Sequence, residues 1–114
     1  MPAIHVRTGV SIPEETRARI QSELGKAIEL LPGKSEQWLM VDVTGDCRLH
    51  FQGKCDEGIA FISVRVYGEV SAADADRLTG KLTELVGNTL DIPPRNIYVQ
   101  YESCSVWGWN GSNF

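Results

Sequence analysis

The chain has 114 residues, of which 42% are hydrophobic and 23% are charged. This composition is typical of a soluble globular protein, and the length predicts one domain, residues 1–114. Its net charge of -4 and its scattered Lys and Arg residues argue against nucleic-acid binding, which needs a concentrated basic face. No apolar run approaches the roughly 20 residues that span a bilayer and no secretory leader is evident, so we expect a cytoplasmic protein without membrane insertion.

The first half of the chain predicts a strand, a helix and a second strand. Residues 3–8 alternate apolar and polar side chains, as a half-buried strand does. Ser11 followed by Glu14 indicates a capping box at the start of a helix, which Pro32-Gly33 ends. Residues 38–44 are predicted to form the second strand. The apolar face of the helix comprises Ile20, Leu24, Ala27, Ile28 and Leu31.

The second half repeats this order. Residues 47–51 are a candidate short extra strand, and residues 59–68 are rich in the β-branched and aromatic residues that strands favour. Ser71, with Asp74 three residues later, predicts the capped start of a second helix, and residues 96–102 predict the next strand. The apolar stripe of this helix comprises Leu78, Leu82, Leu85, Val86 and Leu90.

The two halves therefore share one pattern, a duplicated β-α-β unit. Because helical crossovers between parallel strands are right-handed, both helices should lie on the same face of a shared sheet. The predicted fold is α/β, an α+β two-layer sandwich in which two helices cover one face of a four-stranded mixed sheet. The other face would be uncovered although the strands carry several aromatic residues, which predicts an oligomer.

Pro2 is the leading candidate for chemistry. Proline permits removal of the initiator Met1, and Pro2 would then be an N-terminal secondary amine. An apolar pocket and a nearby cation would lower the pKa of such an amine and leave it able to accept protons at neutral pH. The alternative is that Pro2 only leads into an edge strand, where its missing N–H is harmless.

Further residues could line a site around this amine. Lys34, just after the helix stop, could hold a carboxylate or an enolate oxygen, or could stay solvated beyond the helix C-terminus. Tyr98 and Gln100 lie two positions apart on one strand and share a face, where they could line a pocket or complete a polar surface. The tail, residues 105–114, carries two Trp and two Gly and predicts a tight hairpin that covers the core or walls an apolar pocket.

Other kinds of site have little support in the sequence. His5 and His50 lack the partner spacing of a triad or a metal site. The cysteines show no CxxC spacing and are expected to be reduced thiols, and no glycine-rich phosphate loop is present. We therefore expect no cofactor.

Five segments are distributed along the whole chain: Met1-Pro2; Pro32-Gly33-Lys34; Ala60-Phe61-Ile62-Ser63-Val64 with Gly68; Pro93-Pro94-Arg95-Asn96-Ile97-Tyr98-Val99; and Gly108-Trp109-Asn110-Gly111-Ser112-Asn113-Phe114. In this order and spacing they resemble the macrophage migration inhibitory factor family of the tautomerase superfamily. No single segment is decisive, but the family's repeated β-α-β fold agrees with the elements predicted above.

The resemblance implies a homotrimer with an active site at each subunit interface. It implies keto–enol tautomerisation of small aromatic α-keto acids such as phenylpyruvate, with dopachrome esters as artificial substrates and Pro2 as the catalytic base. Lys34 of the same subunit would contact the acid group of the substrate, and Tyr98 would reach in from the neighbour. The other implied substrate-binding residues are Tyr67, Gln100, Trp107 and Phe114.

Some positions depart from the best-known family members. Gln100 stands where Asn is usual, Tyr67 where a small aliphatic residue is usual, and Trp107 where Val is frequent. All three are larger, which predicts a narrower and more aromatic pocket. Residues 59–62 replace the CxxC segment of the mammalian cytokine, so no thiol oxidoreductase activity is expected.

Two alternatives to a tautomerase follow from the same resemblance. One is a cytokine-like protein with vestigial activity, exported without a signal peptide, that binds a cell-surface receptor related to the class II invariant chain. The other is an enzyme that hydrates or dehalogenates unsaturated acids. That chemistry needs a carboxylate to activate water, and the sequence places no convincing one near Pro2.

Overall fold

The computed structural model describes all 114 residues, Met1–Phe114. The strands are β1 (Pro2–Thr8), β2 (Met40–Thr44), β3 (Ala60–Tyr67), β4 (Ile97–Cys104), β5 (Gly108–Trp109) and β6 (Ser112–Asn113). The α-helices are α1 (Glu14–Ala27) and α2 (Ala72–Leu90). Short 3-10 helices, Ile28–Leu30, Glu36–Trp38 and Pro94–Asn96, lie in the connections.

The first four strands form one mixed sheet in the order β2-β1-β3-β4. β1 is parallel to β2, β3 is parallel to β4, and the two central strands β1 and β3 are antiparallel. Each parallel pair is joined by one helix, so the predicted duplication of a β-α-β unit and the α+β two-layer sandwich are confirmed. β5 and β6 form a separate hairpin in the tail.

Both helices pack against each other and against the same face of the sheet. Ile4 and Val6 of β1 and Ile62, Val64 and Val66 of β3 enter this core, each no more than 1% exposed. Burial of an apolar side chain of this size contributes about 1.5–3 kcal/mol, so this face is the main source of stability. The predicted helix faces complete the core with Ile20, Leu24, Ala27, Ile28, Leu31, Leu78, Leu82, Val86 and Leu90, while Leu85 is partly buried.

The two helices begin differently, and one predicted cap is wrong. Ser71 caps α2, and its Oγ accepts a 3.1 Å hydrogen bond from a main-chain N–H of the first turn. α1 instead begins at Glu14 with Pro13 at the cap position, while the Ser11 hydroxyl donates to the carboxylate of Asp46. A residue before proline is biased towards extended backbone, which keeps the helix from starting earlier.

Two strand predictions also differ from the structure. β2 begins two residues later than predicted, at Met40, because Glu36–Trp38 forms a 3-10 turn. Residues 47–51 form no strand ladder within the chain, and their one β-bridge joins Phe51 to Lys54. No other strand of the chain lies beside residues 47–51, so their main-chain N–H and C=O groups have no partners for a ladder.

The second face of the sheet is left uncovered within the chain, as the sequence predicts. It carries polar side-chain pairs, His5 with Asp42 at 3.4 Å and Arg65 with Glu102 at 3.7 Å. Exposed pairs of this kind contribute about 0–1 kcal/mol each, so they make the face polar more than they stabilise it. None of the helices combines the length and the apolar character needed to cross a membrane.

Candidate active site

Pro2 begins a central strand, not the edge strand considered as the alternative. β1 lies between β2 and β3, and Pro2 is paired with Val66 of β3. Pairing with β2 starts only at Ala3, so the missing N–H of proline removes no hydrogen bond from that ladder. Pro2 is buried, and its nitrogen is an amide in this chain because Met1 precedes it.

A tight turn places Lys34. The main-chain N–H of Lys34 donates to the carbonyl of Leu31 at 3.1 Å. Pro32 is the second residue of this turn, and Gly33, the third, has a φ of 78°. These are the features of a type II turn, in which proline suits the second position and glycine takes the third without strain. Pro32 and Gly33, which end the helical segment, therefore also determine the backbone turn that positions Lys34.

Tyr67, the last residue of β3, joins the N-terminus to Lys34. Its N–H donates to the carbonyl of Met1 at 3.0 Å, and its carbonyl accepts a hydrogen bond from Lys34 Nζ at 3.1 Å. Lys34 is half-buried here, rather than solvated beyond the end of the helix. Because a lysine ammonium has three N–H donors, two remain for a ligand.

The N-terminal ammonium is partly desolvated. Burial, followed by the positive charge of Lys34, lowers the pKa of the Met1 ammonium below its ordinary value of 8.0, and Cys104 offsets this in part. A larger share of this amine is therefore neutral at pH 7 than at a free N-terminus. A neutral amine can accept a proton, which is what a general base must do.

The C-terminal tail brings aromatic rings to the N-terminus. Between β5 and β6, Asn110 and Gly111 have φ values of 53° and 90°, as in a type I′ hairpin turn. The N–H of Phe114 then donates to the carbonyl of Trp107 at 3.0 Å. This places the Phe114 ring 5.6 Å from the Tyr67 ring, at an angle of 37°. We call this pair the Tyr67–Phe114 wall.

Trp38 and Trp109 form a second pair, which we call the Trp38–Trp109 wall. Their ring centroids are 5.0 Å apart and the rings are nearly perpendicular, at 88°. A cavity of about 330 Å³, open to solvent, is lined by both walls together with Met1 and Gly33. This volume lies in the range of small-molecule pockets, and the lining is mainly aromatic, as in such pockets.

A larger cavity of about 400 Å³ lies beside the loop after β2, where Cys47, His50 and Cys55 contribute to its lining. The N-terminus and Lys34 do not line it. The His, Cys, Asp and Glu side chains of the chain form no group of three or more suited to hold a metal ion. The aromatic cavity, by contrast, is lined by Met1, Gly33 and Tyr67, so the N-terminal amine and Lys34, which follows Gly33 and binds Tyr67, lie beside an apolar lining.

Tyr98 and Gln100 share the uncovered face of the sheet, as their spacing predicts. Tyr98 is paired with Phe61, five positions along β3 from Val66, the partner of Pro2. Five positions correspond to about 16 Å of strand. The Tyr98 ring lies 5.1 Å from the ring of Phe51 and is 56% exposed. A single chain thus does not bring Tyr98 to the aromatic cavity.

The structure brings some of the predicted residues together and leaves others apart. Tyr67 and Phe114 line the aromatic cavity, Lys34 binds the main-chain carbonyl of Tyr67, and Pro2 follows Met1, which also lines the cavity. Trp107 is not among the lining residues, and Trp109 and Trp38 form the wall instead. The sequence offered Trp109, in the tail, as part of a pocket wall, but it did not identify Trp38 as a site residue. For Trp38 the available signal was the polar run at residues 35–37, which favours a turn over a strand.

Known proteins resemble the chain over its full length. A sequence profile described as macrophage migration inhibitory factor (MIF) matches residues 1–114. The macrophage migration inhibitory factor of Meriones unguiculatus is 31% identical over 119 residues, which cover 100% of this chain and 99% of that protein. The MIF-like protein mif-2 of Caenorhabditis elegans is 26% identical, covering 98% of this chain and 93% of its own length.

Solved structures show the same fold. Leishmania major MIF2 has a TM-score of 0.92 and 28% identity, covering 100% of this chain and 97% of that one. The macrophage migration inhibitory factor of Toxoplasma gondii shares the fold with a TM-score of 0.89 at 21% identity, covering 98% and 99% of the two chains. Because the profile and a relative both match over the full length, the chain belongs to the macrophage migration inhibitory factor family of the tautomerase superfamily.

Proposed function

We propose that the chain is a cofactor-free keto–enol tautomerase whose general base is the nitrogen of Pro2 after removal of Met1. The observation that carries this proposal is the position of the N-terminus, at an aromatic cavity and beside the ammonium of Lys34. Burial and the charge of Lys34 lower the pKa of the amine at this end of β1, and both would act on a Pro2 amine in the same way. Membership of the tautomerase superfamily supports an isomerase.

The reaction that fits is the tautomerisation of a small aromatic α-keto acid such as phenylpyruvate. The Pro2 nitrogen takes a proton from the carbon beside the carbonyl, the C–H electron pair forms the C=C bond, and the C=O π pair moves to oxygen. The protonated Pro2 then gives its proton to that oxygen, which yields the enol and regenerates the base. Atoms and electrons balance without an oxidant or a cofactor. The two free donors of Lys34 would hold the carboxylate or the enolate oxygen through charge-assisted hydrogen bonds.

We further propose that the working unit is a homotrimer in which a neighbouring subunit completes each site. Tyr98 and Gln100 lie on the uncovered face of the sheet and away from Pro2 of their own chain. A second copy packed on this face would bury exposed aromatic area and could deliver Tyr98 to the cavity of its neighbour. Residues 47–51 would then find a strand partner on another subunit.

Phenylpyruvate tautomerisation tests the proposed base. We compare the wild type with Pro2→Gly, which replaces the rigid secondary amine, and with a form that keeps Met1, in which Pro2 is an amide. Each altered form should lose about a hundredfold or more in kcat/KM, the usual contribution of general base catalysis. Equal activity of the three folded proteins, checked by circular dichroism, would refute an N-terminal base.

Mixed assemblies test the shared site. Pro2→Gly chains lack the base and Tyr98→Ala chains lack the neighbour's tyrosine, so each assembly should be impaired alone. Refolding the two together should restore activity, because some sites then pair an intact Pro2 with an intact Tyr98. Sedimentation should give the mass of three subunits. A mass of one or two subunits, or mixtures no more active than their parts, would contradict the trimeric site.

The same measurements separate catalysis from the receptor-binding alternative. A folded wild type without measurable tautomerase activity that binds a cell-surface receptor would favour the cytokine-like role. The proposed location, in the cytoplasm with export that needs no signal peptide, is tested by fractionation of the source cells and their medium.

A further inference from the structure

Two aromatic walls line the same cavity but do not stack on each other. The ring centroids are 5.6 Å apart within the Tyr67–Phe114 wall and 5.0 Å apart within the Trp38–Trp109 wall, and no ring of one pair is in aromatic contact with the other pair. Both walls line one cavity of about 330 Å³, a volume that accommodates a small aromatic molecule in contact with them.

Trp38 is fixed in its wall although it is 39% exposed. The main-chain N–H of Trp38 donates to the carbonyl of Ser35 at 3.2 Å within the 3-10 turn. The Glu36 side chain of this turn lies against Gly25 of α1, where an added Cβ would come within 1.8 Å of the carboxylate. Glycine in a helix interior costs about 1 kcal/mol relative to alanine, and here it makes room for Glu36. The position of Trp38 is thus tied to the first helix.

The charges determine which end of a ligand lies where. Lys34 and the N-terminal amine are the cationic groups beside the cavity, and the side chains of both aromatic walls are uncharged. The cations attract a carboxylate and repel a positively charged ligand. A ligand that satisfies both features is an aromatic acid with its acid group at Lys34 and its rings between the walls.

We propose that Trp38 is a specificity-determining residue and that the Trp38–Trp109 wall favours α-keto acids with a fused two-ring side chain, such as an indole, over those with a single phenyl ring. This inference rests on the proposed function, which places the acid group of the substrate at Lys34. A fused ring system buries more apolar area between two walls than a phenyl ring does, and stacking on tryptophan adds to the gain. The preference therefore arises in binding and is expressed in KM.

The test compares indole-3-pyruvate with phenylpyruvate for the wild type, Trp38→Phe and Trp38→Ala. The wild type should favour the indole acid by about tenfold in kcat/KM. Trp38→Ala should bring the ratio close to one, mainly by raising KM for the indole acid, and Trp38→Phe should lie between. Leu30→Ala is the matched control, because Leu30 is also 39% exposed but does not line the cavity. Its ratio should equal that of the wild type.

Failure of the inference can be told apart from failure of the proposed function. Active, folded Trp38 variants with the wild-type ratio would overturn the inference and leave the tautomerase intact. If the wild type isomerises neither acid, calorimetric Kd values for indole-3-propionate and 3-phenylpropionate decide instead. The indole compound should bind more tightly to the wild type and lose this advantage in Trp38→Ala, whereas equal Kd values would overturn the inference. Trp38→Phe serves if thermal melting shows the alanine variant to be unfolded.

Discussion

The ammonium of Lys34 donates a 3.1 Å hydrogen bond to the main-chain carbonyl of Tyr67, which links the first β-α-β unit to the second. The N–H of Tyr67 binds the carbonyl of Met1 at 3.0 Å, so one residue of a core strand holds both the N-terminus and its neighbouring cation. Since both contacts use main-chain groups, they depend on the backbone of β3 and not on the Tyr67 side chain. The N-terminus and Lys34 are therefore both held by the backbone of β3, a central strand of the sheet.

Replacement of Lys34 by Gln should move the pH dependence of catalysis. Removing the positive charge favours the ammonium form, so the pKa of the N-terminal amine should rise. The rate needs the neutral amine, and the rising limb of the profile of kcat/KM against pH should therefore shift to higher pH. KM should also rise about tenfold or more, because the carboxylate loses a charge-assisted hydrogen bond. Lys26→Gln, in an exposed pair with Glu23, should change neither quantity. An unshifted profile of kcat/KM against pH would show that the charge of Lys34 does not affect the pKa of the base.

Two glycines with open space around them should respond to alanine with opposite signs. Gly33 has a φ of 78° in the turn before Lys34, and Gly80 lies inside α2, with no atom within 4 Å of an added Cβ at either site. Gly33→Ala should cost about 1 kcal/mol in the free energy of unfolding, because alanine is strained at positive φ. Gly80→Ala should gain up to about 1 kcal/mol from helix propensity. Urea denaturation measures both, and a stabilising Gly33→Ala would contradict the assigned turn.

Ser71 and Ser11 precede the two helices at similar points of the repeat, but only Ser71 caps a helix. Ser71→Ala should lower the free energy of unfolding by about 1 kcal/mol, since a main-chain N–H of α2 loses its acceptor. Ser11→Ala removes only an exposed hydrogen bond to Asp46 and should stay within about 0.5 kcal/mol of the wild type. Equal losses for the two variants in thermal or urea unfolding would show that the helix starts are energetically alike.

Tyr101 should contribute to loss of stability in alkali. Burial raises the pKa of Tyr101, the hydrogen bond with Thr79 lowers it in part, and the charge of Asp76 raises it. Its hydroxyl donates to the carbonyl of Ala75 at 2.9 Å. Because the pKa is higher in the folded state, this stabilisation is complete below the unfolded pKa near 10 and is lost as pH rises through the folded pKa.

Tyr101→Phe should therefore be less stable than the wild type by about 1 kcal/mol at neutral pH, because it lacks the hydroxyl. The difference between the two proteins should shrink above about pH 10, where only the wild type gains a charge at this position. Urea denaturation at neutral and alkaline pH measures the difference. A gap that widens with pH would contradict the raised pKa.

The sequence predicted those features that depend on local pattern. Period-two alternation located β1, richness in β-branched and aromatic residues located β3, and helical spacing located the buried faces of α1 and α2. The same strand-helix-strand order occurs in both halves of the chain, and this repeat predicted the mixed sheet. Right-handed crossovers leave few ways to arrange the four strands and two helices. Pro32-Gly33 was correctly identified as the end of the first helical segment, since proline and glycine act on their own backbone.

The tertiary structure decided what distant residues do together. Trp38 is a wall of the cavity because a 3-10 turn replaces the predicted start of β2, and Trp109 joins it only when the tail folds back as a hairpin. Ser11 satisfied the local rule for a helix cap, but the helix starts only after Pro13, and the Ser11 hydroxyl donates a hydrogen bond to Asp46 instead. By itself the sequence determined the sheet, the helices and the candidate base at Pro2. The cavity beside that base required three-dimensional contacts, because its rings are up to 76 residues apart in the chain, from Trp38 to Phe114, and no periodicity relates them.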